Sequence, residues 1–122
     1  MLIQILKPDF EFKDARGELT QLCHDGYKQF NIVYSHQGVV RGNHYHKIST
    51  EVFFVIDGKL ELTVSKNGIT EKYVFVKGDM FLIPPYVVHS FEYLESTTLA
   101  AMYDIGVERE DGMKDIWVEE KA

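Results

Sequence analysis

Residues 59–65 set the pattern of the chain: Leu60, Leu62 and Val64 fall on one side, while Lys59, Glu61 and Thr63 fall on the other. This period-two alternation is that of a half-buried strand. Similar short runs recur, each closed by turn residues. Residues 29–35 and 39–47 read as strands on either side of His36-Gln37-Gly38, and 51–56 as a strand leading into Asp57-Gly58, a tight-hairpin signal. Asn67-Gly68 closes a second hairpin into 69–76, and Lys77-Gly78-Asp79 turns the chain into 80–83. Beyond Pro84-Pro85 lie two further strand-like runs, 86–93 and 98–104, while Asp14 to Gly17 is turn-like. No window of a dozen residues carries a 3.6-residue apolar period, so little helix is expected. Short strands spaced every ~8 to 12 residues predict an all-β sandwich, jelly roll or barrel. In the acidic tail, 107–122, Ile116, Trp117 and Val118 read as an edge strand or as packing for a partner subunit.

With 122 residues, no linker and no low-complexity stretch, the chain reads as one domain, 1–122. The formal net charge of −6 and the scattered Lys and Arg residues argue against a nucleic-acid partner, which calls for clustered cations. The N-terminal apolar stretch is too short for a signal peptide, and no run approaches the ~18 apolar residues of a membrane helix. Cys23 is the single cysteine, which excludes an intrachain disulfide or a thiolate cluster. A cytoplasmic protein with no membrane partner is the expectation. Val52-Phe53-Phe54-Val55-Ile56 and Met80-Phe81-Leu82-Ile83 are apolar on both faces, as strands covered by a second subunit are, so a homodimer is expected.

His44 and His46 are two residues apart and share a strand face. Glu51 follows after a short turn, close enough for its carboxylate to return beside the imidazoles. The strand bearing His89 puts Val87, His89, Phe91 and Tyr93 on one face, which is apolar apart from the histidine and the tyrosine. Three imidazoles and a carboxylate suit zinc, iron(II), manganese or nickel. A buried ionised glutamate calls for an ion or a hydrogen-bonded partner. His24 and His36 sit in polar, turn-like contexts and read as surface residues.

The stretch from Gly38 through His44, His46 and Glu51 to Gly58 resembles the first cupin motif, G-x5-H-x-H-x4-E-x6-G, at every fixed position. Gly78, Pro84 and His89 fit the second, in which Tyr86 replaces a glycine and Tyr93 an asparagine. The resemblance implies a cupin jelly-roll β-barrel with His44, His46, Glu51 and His89 as metal ligands. Arg41-Gly42-Asn43-His44-Tyr45-His46, together with Asp14-Ala15-Arg16-Gly17-Glu18-Leu19, is similar to cupins acting on nucleotide-linked keto-sugars. These are ketoisomerases, 3,5-epimerases and the zinc-binding cupin domain of capsular sugar synthesis, which puts zinc first among the metals. The resemblance also implies a nucleotide sugar as the small-molecule partner and adds weight to the homodimer. The chemistry implied is removal of a proton next to a sugar ketone in the synthesis of cell-surface polysaccharide. Such chemistry needs a base and an electrophile for the oxyanion. His44 or His46 serves as base if no metal binds; if all three histidines are ligands, Tyr34, Tyr93 and Tyr103 are the candidates. Arg41 and Lys47 are candidates for a diphosphate. A metal-dependent oxygenase or lyase of small organic acids, and a non-catalytic sugar-binding cupin, are the alternative readings.

Overall fold

A computed structural model describes residues 1–108 and 111–118 of the chain. Its strands are β1 (Gln4–Leu6), β2 (Phe10–Asp14), β3 (Gly17–Gln21), β4 (Gln29–Ser35), β5 (Val40–Tyr45) and β6 (Glu51–Asp57). They continue as β7 (Lys59–Lys66), β8 (Ile69–Val76), β9 (Met80–Ile83), β10 (Val88–Tyr93), β11 (Thr97–Tyr103) and β12 (Trp117–Val118). Among the described residues there is no helix, and so none long and apolar enough to cross a membrane. One five-stranded sheet has the order β1-β9-β6-β11-β4, the other β12-β5-β10-β7-β8, and every pairing is antiparallel. This is the jelly-roll arrangement expected of a cupin.

The alternation read from the sequence explains which side chains fill the sandwich. Phe53, Val55, Phe81, Ile83, Leu99 and Ala101 come from the first sheet; Leu60, Leu62, Val64, Phe91 and Tyr93 come from the second. Phe81 stacks on Phe75 with ring centroids 4.1 Å apart, and the Phe53 ring meets Phe91 at 4.9 Å. Aromatic pairs of this kind add about 0.5–1.5 kcal/mol each beyond the area they bury. The opposite parity of the first sheet has its own small core, in which Val52, Met80 and Met102 are covered by Leu6, Leu22, Cys23 and Tyr27. The two-faced apolar character of β6 and β9 is therefore met largely within one chain, not by a second subunit as the sequence suggested.

Asn67-Gly68 is the hairpin turn predicted, with both residues at positive φ, 51° and 79°, as a type I′ turn requires. Asp57-Gly58 is not a hairpin. β6 pairs with β9 and β11, whereas β7 pairs with β8 and β10, so the chain passes from one sheet to the other at this point. Gly58 has φ 108°, and a Cβ there would lie 2.6 Å from the Ser96 carbonyl oxygen. Only glycine makes that corner.

The sequence reading found the turn at Asp14–Gly17 but not the strands beside it. β2 and β3 form a separate two-stranded ribbon, with Phe12 opposite Leu19 and Lys13 opposite Glu18. Its apolar face, Phe10, Phe12 and Leu19, is exposed. The tail does supply an edge strand, since Trp117 and Val118 pair with Tyr45 and His44. Residues 109–110 and 119–122 of that predicted tail lie outside the described residues.

Candidate functional site

Four elements deliver the predicted cluster. His44 lies on β5 directly opposite His89 on β10, His46 follows the end of β5, and Glu51 opens β6 opposite Tyr103 of β11. The second sheet thus supplies histidines and the first a carboxylate and a phenol, meeting between the layers. The turn from His46 to Glu51 is held by a residue from the tail. The Asp115 carboxylate accepts the backbone N–H groups of Lys47, Ile48 and Ser49 at 2.9, 2.9 and 2.8 Å, and the Trp117 indole N–H at 3.1 Å. Burial alone would raise its pKa, but these donors hold it well below the usual carboxylate range. Asp115 was not singled out in the sequence. It is one acid among many in an acidic tail, and its partners are backbone groups brought to it by the fold.

Tyr86 occupies the glycine position of the second motif and takes the conformation glycine would, with φ 67°. Its N–H donates to the His46 carbonyl at 2.7 Å, so the turn geometry survives the replacement. Beside the cluster, Gly42 has φ 103°, and a Cβ there would sit 2.7 Å from the His89 carbonyl oxygen. The close crossing of β5 and β10 depends on that missing side chain.

Within the cluster the imidazole centroids of His44 and His46, His44 and His89, and His46 and His89 are 5.4, 4.6 and 5.3 Å apart. One nitrogen from each lies within 4.8 Å of the others. His46 donates Nδ1–H to the Asp115 carbonyl and His89 donates Nδ1–H to the Val87 carbonyl, so both rings turn Nε2 toward Glu51. Glu51 Oε1 lies 3.2 Å from His46 Nε2 and 3.4 Å from His89 Nε2. His46, Glu51 and His89 are buried, while His44 keeps partial exposure. His89 Nε2 has no hydrogen-bond partner although it is buried. Imidazoles fixed through Nδ1 by carbonyls, converging through Nε2 beside a carboxylate, are a donor set that fits a borderline divalent cation.

The charges follow from the same geometry. Burial, reinforced by the other histidines, lowers His89 to about 4 and leaves it neutral; Glu51 opposes this shift. Burial and the neighbouring His46 likewise lower His44. For His46, burial is outweighed by the hydrogen bond and charge of Glu51 and by Asp115, so its pKa rises. Glu51 is held ionised, with His46 and the Tyr103 hydroxyl overcoming its burial. Burial and the Glu51 charge push Tyr103 far above an ordinary phenol, so it keeps its proton.

Of the three tyrosines considered as bases, only Tyr103 reaches the cluster, with its ring 5.9 Å from His46. Tyr34 points out of the sandwich: Ser35 is the buried member of that pair of neighbours, and the Tyr34 ring packs edge-on against His36. Tyr93 shares the inward face of β10 with His89, but Phe91 intervenes, its ring centroid 6.0 Å from that of His89 and 6.2 Å from that of Tyr93. Arg41 donates Nε–H to Ser35 Oγ at 2.8 Å, and Lys47 sits 3.7 Å over the Trp117 ring. His24 and His36 are surface residues, as expected, with His24 2.6 Å from Asp9.

Solved structures share this fold. The sugar 3,4-ketoisomerase QdtA from Thermoanaerobacterium thermosaccharolyticum, solved with TDP, superposes with a TM-score of 0.80 at 15% identity, covering 97% of this chain and 88% of that one. A 3,4-ketoisomerase from Helicobacter canadensis gives 0.78 at 19% identity, with coverage of 92% and 89%. The dTDP-4-dehydrorhamnose 3,5-epimerase from Sulfolobus tokodaii gives 0.70 at 25% identity, with coverage of 84% and 70%. No curated protein matches the sequence. The profile of the polysaccharide biosynthesis C-terminal domain matches residues 12–105, a span running from β2 past the end of β11 and holding every member of the histidine–glutamate cluster. With a cupin sandwich around that cluster and a match over most of its length, the chain belongs to the polysaccharide biosynthesis C-terminal domain family.

Proposed function

We propose that the protein is an isomerase of nucleotide-linked keto-sugars, working by proton transfer next to the sugar ketone. The observation that carries this reading is the cluster itself: three imidazoles with ring centroids 4.6 to 5.4 Å apart, a buried carboxylate at Glu51 and the proton-bearing phenol of Tyr103, with burial keeping His44 and His89 neutral. His44, the one cluster histidine with partial exposure, is the base. It takes the proton from the carbon beside the ketone, and the bonding pair becomes the enolate. Delivery of a proton to the other face gives an epimer; delivery to the neighbouring carbon moves the ketone. Tyr103, which keeps its proton, is the chain's own donor for the enolate oxygen. A divalent ion, zinc ahead of iron, manganese or nickel, would be held by His44, His46 and His89 with Glu51 beside them and would supply Lewis-acid stabilisation of that oxygen; His44, once a ligand, would yield the role of base to Tyr103, the candidate tyrosine that reaches the cluster. Arg41 supplies positive charge for the diphosphate; Lys47, expected from the sequence to share that role, is stacked over Trp117 on the outer face of the sheet instead. The ketoisomerase QdtA was solved with TDP-4-keto-6-deoxyglucose, which makes that compound the first substrate to try.

The test is incubation of the protein with TDP-4-keto-6-deoxyglucose and related keto-sugars in deuterium oxide, with metal content measured on the same untagged sample. Deuterium is expected beside the ketone, at a rate lowered at least ~100-fold by His44→Asn. A panel in which no sugar exchanges sinks the reading, and oxygen consumption by an iron-loaded protein replaces it with an oxygenase.

We also propose a homodimer, on grounds other than those the sequence offered. The exposed face of the β2–β3 ribbon (Phe10, Phe12, Leu19) and the exposed face of edge strand β4 (Phe30, Ile32, Tyr34) are both apolar. A twofold contact laying the ribbon of one copy beside β4 of the other covers both at once. A small-molecule substrate and a free Cys23 fit a cytoplasmic setting.

A further inference from the structure

The outer face of the second sheet, on the side away from the histidine cluster, carries a second concavity. It is a groove of about 840 Å³ between the end of β5, the β7–β8 hairpin and β12. Tyr45 and Tyr86 form one wall, stacked with centroids 6.2 Å apart and planes 27° apart. Trp117 forms part of the floor with Lys47 3.7 Å above its ring, and Lys66 stands at the hairpin. Among the described residues no carboxylate lines the groove, in a chain whose formal net charge is −6. The hydroxyls of Ser65 and Thr70 add neutral donors and acceptors.

Tyr86 makes the arrangement informative. A bulky residue at φ 67° stores strain of order 1–3 kcal/mol that glycine would avoid. The backbone bond from its N–H to His46 does not need the ring. The ring lies half exposed against Tyr45 and extends the aromatic surface of the groove.

Flat aromatic faces accept the C–H surface of a pyranose, hydroxyls pair with hydroxyls, and two lysines without an acid partner in the lining call for an anion. We propose that this groove binds an acidic saccharide, with its rings on Tyr45, Tyr86 and Trp117 and its anionic groups on Lys47 and Lys66. It is a site separate from the proton-transfer cluster, and the proposal does not depend on the isomerase reading. It places a glycan on the outside of a protein whose interior handles a smaller molecule.

Trp117 is the only tryptophan in the chain, so its fluorescence reports on the groove directly. Titration with trigalacturonate is expected to give a saturable change that weakens with added salt. Neutral maltotriose should bind at least ~10-fold more weakly, as should trigalacturonate to Tyr86→Gly or Lys66→Gln. Tyr86→Gly relieves the positive φ, so its melting temperature should equal or exceed that of the parent, and lost binding cannot be put down to unfolding. Glucose 1-phosphate and TDP form the remaining arms: glucose 1-phosphate binding with the same variant sensitivity supports a sugar site that takes phosphate as its anion. The proposal is overturned if trigalacturonate gives no saturable change up to about 10 mM. It is equally overturned if maltotriose binds as well, if both variants bind normally, or if TDP binds more tightly than any saccharide and loses affinity in the same variants.

Discussion

Asp115 is a single acid that fixes the geometry of the site without facing it. Its carboxylate gathers three consecutive backbone N–H groups, and its carbonyl orients His46. Asp115→Ala strands those three donors in a turn where Ser49 is buried and Lys47 and Ile48 are exposed, which costs on the order of 3 kcal/mol. A fall of roughly 10 °C in Tm is the expected result for a chain of this size. The pH dependence follows from the direction of the shift. A carboxyl depressed below its ordinary value of 3.8 stabilises the fold above that value and loses the contribution as pH falls through its folded-state pKa. The gap in Tm between parent and variant should therefore be widest near neutrality and close in acid. The contrast with the cluster shows what a sequence displays at this scale. His44, His46, Glu51 and His89 are legible because residue type and spacing carry their chemistry. Asp115 is not, because its partners are backbone groups that only the folded chain brings to it; Trp117 is legible as an edge-strand residue but not as the seat of the Lys47 ammonium.

The strands themselves were the easiest part to read. β4, β8 and β9 coincide with the predicted runs 29–35, 69–76 and 80–83, because each is rich in β-branched or aromatic residues and is followed within three residues by Gly or Pro. Connectivity was harder. Asn-Gly and Asp-Gly give the same local signal, yet Asn67-Gly68 joins neighbours in one sheet whereas Asp57-Gly58 carries the chain to the other. The difference lies in which strands compete for β6, and β11 and β9 win both of its edges. β2 and β3 escaped notice because one face is mostly charged and the apolar face holds only three residues, all of them half exposed. At this scale Gly42 is the position to test. Gly42→Ala forces a Cβ against the β10 backbone at a φ that L residues avoid, and so pushes His44 away from His89. We expect a Tm several degrees lower, by about 1–2 kcal/mol, together with a loss of deuterium exchange larger than that loss of stability explains. Unchanged exchange would mean that the β5–β10 crossing does not set the histidine geometry.

For the molecule as a whole, the apolar surface left uncovered determines how it associates. Phe10, Phe12, Leu19, Phe30, Ile32 and Tyr34 are each about half exposed or more. At roughly 100 Å² apiece, half the area such side chains bury when fully covered, they amount to ~600 Å² per copy. A twofold pair would bury ~1,200 Å², the lower bound for a stable interface. Light scattering is expected to give twice the 14.1 kDa chain mass, and Ile32→Asp to return the protein to 14.1 kDa. A parent protein that runs at 14.1 kDa at micromolar concentration refutes the dimer. The position of the cluster has a consequence for the whole body too. Glu51 and Tyr103 belong to one sheet, and His44 and His89 to the other. Whatever lodges among them rivets two halves otherwise joined by side-chain packing and the short turns that carry the chain from one sheet to the other. Occupancy therefore becomes a brake on opening: a guest at a hundred times its dissociation constant adds about 2.7 kcal/mol against separation of the layers, so the protein is most durable while it is at work.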